Sequence, residues 1–218
     1  DVVWKLIRSL LTGAPSLRIL RQQWPYLRAR IAQLIRRADV LRRTVMPDHD
    51  PERTVLYAYW THDWATVLGI VRERDERLRF ISRAHGFDIH EEQNLNGWIP
   101  FRSFQLEQVD RVFCASRTGM EHLQARHPRI ADHFELARLG TTDHGPGPHD
   151  PTGPLKVVSC SFLIPRKRVL LLIEALAKLR IPVRWTHFGA GEEEQRVREA
   201  ALRLPPIIQV EFKGMVQN

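Results

Sequence analysis

From residue 54 onward, short apolar runs alternate with segments of helical period. "TVLYAYW" (54–60) reads as a buried strand, 62–75 as a helix and 78–86 as a strand ending in a loop. Residues 111–116 read as a strand, 117–128 as a helix stopped before Pro128, and 133–140 as a strand. After residue 154 the series restarts. "LKVVSCSFL" is a strand, "RVLLLIEALAKLR" a helix, "VRWTHFG" a strand, "EEEQRVREAALRL" a helix and "IIQVEFKG" a strand. Apolar strands separated by helices build a parallel sheet covered on both faces. Between the two series, "TTDHGPGPHDPTGP" (141–154) is rich in Gly and Pro and poor in apolar residues, which marks a linker. The expected fold class is therefore α/β: two Rossmann-like parallel-sheet domains, over 51–140 and 155–218, with a basic helical N-terminal segment over 1–50. Both domains are expected to be incomplete. The chain opens on Asp rather than Met and closes on "VEFKGMVQN", a strand and loop that should lead further.

Residues 1–46 have helical spacing. Leu27, Ile31, Leu34, Ile35, Ala38 and Leu41 form one apolar stripe, with Trp24 and Tyr26 flanking Pro25 at its start. An earlier helix, with Trp4, Ile7, Leu10 and Leu11 on one side, ends near Gly13 and Pro15. Residues 1–48 hold ten Lys or Arg against three Asp, so +7 of the net charge of +8 lies there and the rest is almost neutral. Two readings share this pattern: a face for anionic lipid, or a solvated arginine face on a helix packed against its own domain. No apolar run is long enough to span a bilayer and no signal peptide is visible, so a cytoplasmic location is expected, with association at the inner face of the membrane. Cys114 and Cys160 both sit in apolar strand-like runs and are expected to be reduced core thiols.

Three places can carry chemistry. Arg166, Lys167 and Arg168 crowd the turn that opens a helix, the end with positive partial charge, and so call for an anion there. Lys167, with Arg166 or Arg168, has the charge to pair with a diphosphate, although a basic surface loop has the same composition. Gly189 and Gly191 lie between a strand and a helix, where glycine lets backbone amides approach a ligand; Glu192 follows them in an acidic run suited to the helix start. A third glycine and a later ribose-binding acid are not evident, which argues against a dinucleotide enzyme. His85 follows a strand and shares its carboxyl-end rim with Gly86 and Asp88. The histidines of "DHGPGPHD" match no standard metal spacing, and no metal or cofactor is expected.

These motifs resemble those of family-4 retaining glycosyltransferases, which have the GT-B fold. "FLIPRKRVLLLIEAL" is similar to the family's Arg-Leu-Val-Pro-Glu-Lys-Gly turn and its following helix at Leu163, Pro165, Lys167 and Ile173-Glu174-Ala175-Leu176. Gly189-Ala190-Gly191-Glu192-Glu193 echoes its Gly-Asp-Gly-Pro-Glu turn, and "VEFKGMV" its Val-x-Phe-x-Gly-x-Val strand. In the first half, "RAHGFD" is similar to its His-Gly-Phe-Asp loop, and "DRVFCAS" and "RLGT" to later strand signatures. The resemblance covers about residues 54–218. It implies sugar transfer from a nucleotide-sugar donor to a polysaccharide or lipid-linked acceptor, with retention and without a metal. It implies that Lys167 contacts the donor diphosphate, that Gly189 and Gly191 lie near the nucleotide, and that His85 faces the transferred sugar. Phe162 stands where the family has an arginine, five positions before Lys167. The family's pair of donor-binding glutamates and its N-terminal glycine-rich loop have no counterpart in these 218 residues, and the resemblance implies that turnover needs both. The competing reading is a non-catalytic glycosyltransferase-like or nucleic-acid-binding module led by the Arg-rich helix. The near-neutral remainder and the lack of a nucleic-acid motif argue against nucleic acid as a partner.

Overall fold

The computed structural model of the chain describes residues 1–147 and 152–217. Residues 148–151, within the expected linker and including His149 of the histidine-bearing stretch, lie outside the described residues, as does Asn218. The chain divides into two compact units, Asp1–Thr142 and Asp143–Asn218. Residues 141–147 are exposed and have no regular structure.

The first unit begins with two helices, α1 (Val2–Gly13) and α2 (Leu17–Thr44). The alternation then follows as β1 (Val55–Ala58), α3 (Asp63–Arg72), β2 (Arg79–Ala84), α4 (Arg102–Gln108), β3 (Arg111–Cys114), α5 (Arg117–Arg126) and β4 (Phe134–Leu136). The four strands are parallel in the order β1-β2-β3-β4. Leu20, Leu27, Ile31, Leu34 and Ala38 of α2 pack with Val67, Ile70 and Val71 of α3 and with Trp98, Phe101 and Phe104. The apolar stripe of the basic helix thus lies in the core of its own unit; Arg30 and Arg37 pair with Asp63 of α3, and the other arginines of the helix face outward. Of the two readings of that segment, packing accounts for the stripe, and the arginines alone remain for an anionic surface.

Several expectations need correction. The second helix does not start at Pro25. Ser16 caps it, its Oγ accepting from the Ile19 amide at 3.2 Å, and Pro25 lies inside. A proline there removes a backbone hydrogen bond, but burying Leu20 and Leu27 in one core keeps the turns before and after it aligned. In α1 the inward side is Leu6, Ser9 and Leu10, while Trp4 and Leu11 are exposed. Ser9 Oγ accepts from Ser103 Oγ (2.7 Å) and the Phe104 amide (3.1 Å), which ties α1 to α4. β1 is an edge strand rather than a buried one: Val55 and Tyr57 are nearly half exposed because β1 pairs on one side only among the described residues. Cys114 is buried, as a core thiol should be, but Cys160 is exposed at the end of its strand.

The second unit is β5 (Leu155–Cys160), α6 (Val169–Leu176), β6 (Val183–Phe188), α7 (Glu194–Ala201) and β7 (Ile208–Gly214). Its strands are parallel in the order β5-β6-β7, with Leu155 opposite Val183 and Val183 opposite Ile208. Leu163, Val169, Ile173, Leu176, Trp185 and Val197 fill the core beneath the helices.

Candidate functional site

Ligands of open parallel α/β sheets bind beyond the carboxyl ends of the strands. In the second unit those ends form a cavity of about 380 Å³ lined by Ser161, Phe162, Lys167, Gly189, Met215 and by Cys160. It brings together Lys167 and Gly189, two of the residues picked out by sequence. Arg166 and Arg168 are exposed neighbours that do not line it, and neither do Gly191 and Glu192. Phe162, standing where the family has arginine, contributes an apolar wall to the same cavity.

The local chain explains the arrangement. After β5, residues Pro165–Lys167 make one tight 3-10 turn. Arg168 then adopts a left-handed backbone (φ 51°) and α6 starts at Val169. No ion pair of Arg166, Lys167 or Arg168 occurs among the described residues, so all three charges remain available to an anion. The two glycines have a more confined role than open access to a ligand. A Cβ on Gly189, whose φ is +132°, would lie 1.9 Å from the Ser161 carbonyl oxygen; one on Gly191 would lie 2.4 Å from that of Leu163. Their absence lets the two strand-end loops zip together through Leu163 N–Ala190 O (3.1 Å) and Glu193 N–Leu163 O (3.0 Å). Beneath lies a buried polar chain. Trp185 Nε1 donates to Ser159 Oγ (2.9 Å), which also hydrogen-bonds His187 Nδ1 at 2.8 Å. Burial pushes the His187 pKa down, which favours the neutral imidazole.

In the first unit, His85, Gly86 and Asp88 come together just past β2. Asp88 is fully buried. One carboxylate oxygen accepts from the His85 amide (2.7 Å) and the other from the Thr61 amide (3.0 Å). Its carbonyl accepts from Arg102 Nη2 (2.6 Å). Asp88 therefore fixes the backbone from which the imidazole projects. The His85 ring lies 5.0 Å from Tyr59 and 6.2 Å from Trp60, with Nδ1 3.9 Å from the nearer Asp88 oxygen. Neither ring nitrogen has a hydrogen-bond partner among the described residues. Gly86 has no positive φ and nothing closer than 3.8 Å to a hypothetical Cβ, so the turn does not require glycine there. The glycine that matters sterically is Gly119, where a Cβ would meet Ile89 Cδ1 at 2.7 Å as α5 packs under the loop.

Arg102, Thr61 and Gln105 were not visible from sequence. Arg102 is buried, and burial lowers its pKa to about 10 even though Asp88 and Glu91 oppose the shift. It and Gln105 occupy inward positions of α4, which breaks the apolar period that would have signalled a helix over 102–108.

The histidines predict acid sensitivity. Burial, with Arg102, Arg126 and His122 adding repulsion, pushes His127 down to about 4. Burial is also the leading cause of the lowered pKa of His62 and His187. Above about pH 6.5 these groups are neutral in both states. Between about 6.5 and 4 the unfolded chain takes up protons that the fold refuses, so stability falls as the pH drops. Thermal melts at pH 7, 6 and 5 are expected to show a falling midpoint, less steep in His127→Gln; a flat series would refute this.

A scan of protein-family models finds no match, and neither does a sequence search of curated proteins. Solved structures do match. The lipopolysaccharide outer core galactosyltransferase WaaB aligns over 86% of this chain and 49% of its own, at 13% identity and a TM-score of 0.62. Staphylococcus aureus TarM, a G117R variant holding Fondaparinux, alpha-GlcNAc-glycerol and UDP, aligns over 84% and 36%, at 14% identity and TM-score 0.56. Anabaena HepE with UDP and glucose aligns over 75% and 48%, at 19% identity and TM-score 0.53. The fold is the Rossmann-like α/β architecture of these GT-B proteins. The chain spans about half the length of WaaB and HepE and about a third of TarM. Among the described residues, no helix is long and apolar enough to cross a membrane, and no three His, Cys, Asp or Glu side chains gather as a metal site.

Proposed function

We propose that the chain is part of a glycosyltransferase that moves a sugar from a nucleotide-sugar donor to a glycan or lipid-linked acceptor. The observation that carries this reading is the cavity beyond β5 and β6, where Lys167 and Gly189 share one wall system and no carboxylate lines it. A leaving nucleoside diphosphate gains negative charge as the glycosidic bond breaks. A fixed ammonium beside it stabilises the transition state more than the ground state. Lys167 takes the diphosphate, with Arg166 and Arg168 adding longer-range attraction. Gly189, Gly191 and Glu192 shape the nucleotide side. The UDP in the TarM and HepE structures supports a nucleotide donor.

His85 is proposed as the catalytic-centre residue that hydrogen-bonds the transferred sugar, positioned by Asp88 and the Gly86 turn. Retention and independence from metals and other cofactors complete the reading, with the family resemblance behind them. Nucleic acid has no part in it. The chain would work in the cytoplasm, and the outward arginines of α2 suit an anionic membrane surface, through charge rather than an inserted apolar stripe.

Titration of UDP, GDP and ADP into the full chain and into Lys167→Ala tests the assignment. At least one nucleotide is expected to bind, about 10- to 100-fold more weakly to the variant, as loss of a charge-assisted hydrogen bond of about 1.5–3 kcal/mol implies. Equal affinity would remove Lys167 from the site. Retention is read separately: a product with inverted anomeric configuration would end that part of the proposal, and loss of turnover in EDTA would end the metal-free part.

A further inference from the structure

A second cavity lies within the first unit, away from His85. It has a volume of about 190 Å³ and is walled by the middle of α2, the start of α3 and the segment before α4. We propose that it binds a single uncharged sugar ring, which the transferase reading would make one residue of the acceptor glycan. As a sugar pocket it stands on its own geometry; as an acceptor subsite it rests on that reading.

Size comes first. The volume far exceeds what one bridging water needs, and it is below the roughly 300 Å³ at which drug-sized sites begin. A nucleotide is too large; a pyranose is not. The wall chemistry comes second. Trp98 and Gln105 both line the cavity, and both are more than nine-tenths buried. Trp98 Nε1 and Gln105 Oε1 have no hydrogen-bond partner among the described residues. The orientation of Gln105 is fixed, because its Nε2 donates to the His62 carbonyl (3.0 Å) and to Thr66 Oγ1 (2.8 Å). The two lining side chains therefore carry one unused donor and one unused acceptor, both buried within the wall. A buried polar atom without a partner is unfavourable and calls for an explanation. Hydroxyl groups can serve both, since each donates and accepts.

Charge comes third. Arg30, on the same wall, is ion-paired with Asp63. The pair leaves no net charge for an anion, and the unused amide oxygen of Gln105 repels one. Tyr26 and Phe101 add aromatic surface for the apolar face of a ring. The backbone points the same way. Asn96 (φ 61°), Gly97 (φ 66°) and Phe101 (φ 64°) are all left-handed in the segment that closes the cavity. For Asn and especially Phe this is strain of the kind that collects at ligand clamps.

The test is saturation-transfer NMR with D-glucose, D-galactose and N-acetylglucosamine on the full chain, Trp98→Phe and Tyr26→Ala. Trp98→Phe removes the indole N–H while keeping an aromatic ring in the core, at the cost of some buried volume, and Tyr26 is exposed. Circular dichroism and thermal melts of both variants establish that the fold is kept before binding is compared. At least one sugar is expected to bind saturably. Its affinity should fall about 2- to 10-fold in Trp98→Phe, as loss of one net hydrogen bond implies, and fall also in Tyr26→Ala. Lys167→Ala should leave sugar binding unchanged. No saturable binding by any of the three, or binding indifferent to both variants, overturns the proposal. Failure of nucleoside diphosphates to bind, with sugar binding intact, would remove the transferase reading and leave the pocket.

Discussion

Replacing Asp88 with Ala is expected to destabilise the first unit by about 2–3 kcal/mol, the upper part of the range for leaving a buried hydrogen-bond donor without its partner. The side chain is fully buried, accepts from two backbone amides and sits beside the buried Arg102 guanidinium. Its loss strips the His85 amide of its acceptor and leaves Arg102 with Glu91 alone of the two carboxylates that favour its charge. In a unit of this size the thermal midpoint should fall by roughly 5–10 °C. Asp88→Asn separates structure from chemistry. The amide is close to isosteric but can accept at only one end, so it should keep much of the stability while letting the His85 loop shift. Any transfer activity should then fall more than the melting midpoint does. A midpoint unchanged in Asp88→Ala would show that the hydrogen bonds around the histidine are not what holds that loop.

The second large effect is expected at Gly189. Its φ of +132° is strained for any residue with a side chain, and an added methyl carbon would sit 1.9 Å from the Ser161 oxygen and 3.4 Å from His187 Nε2. Backbone cannot move aside as a flexible side chain can. Gly189→Ala should therefore cost about 3 kcal/mol or more, from strain and overpacking together. The second unit is small, and its transition should fall by roughly 12 °C or more. Nucleotide binding should be lost with it, because Ser161 and Gly189 shape the cavity that holds Lys167. Gly86→Ala is the contrast: with no close neighbour and no positive φ, it should be nearly neutral for stability. Calorimetry on the two variants checks both halves, and similar effects at the two glycines would contradict the steric account.

The strand–helix alternation was legible because each element buries an apolar face of regular period, and Phe80, Val112, Ile173 and Trp185 lie inward as that period requires. Legibility failed where a neighbour beyond the local sequence decides the outcome. The edge position of β1 depends on what pairs with it. α4 hides behind a buried arginine and glutamine that only Asp88, His62 and Thr66 explain. Lys167 and Gly189 could be named from their motifs, but the role of Gly191 could not, because it depends on contact with Leu163 across the strand ends. The sugar-sized cavity had no sequence signal, since its wall is drawn from three separated segments.

The central claim, a nucleoside diphosphate seated beyond β5 and β6, has a built-in reporter. Cys160 is exposed and lines that cavity, whereas Cys114 is buried and burial raises its pKa to about 11. A thiol-selective maleimide should therefore label Cys160 and spare Cys114. Saturating UDP, or whichever nucleoside diphosphate binds in the titration, is predicted to slow Cys160 labelling severalfold in the wild type, and at the same concentration to protect it less in Lys167→Ala. A nucleotide that binds tightly yet leaves the Cys160 labelling rate unchanged would place the donor elsewhere.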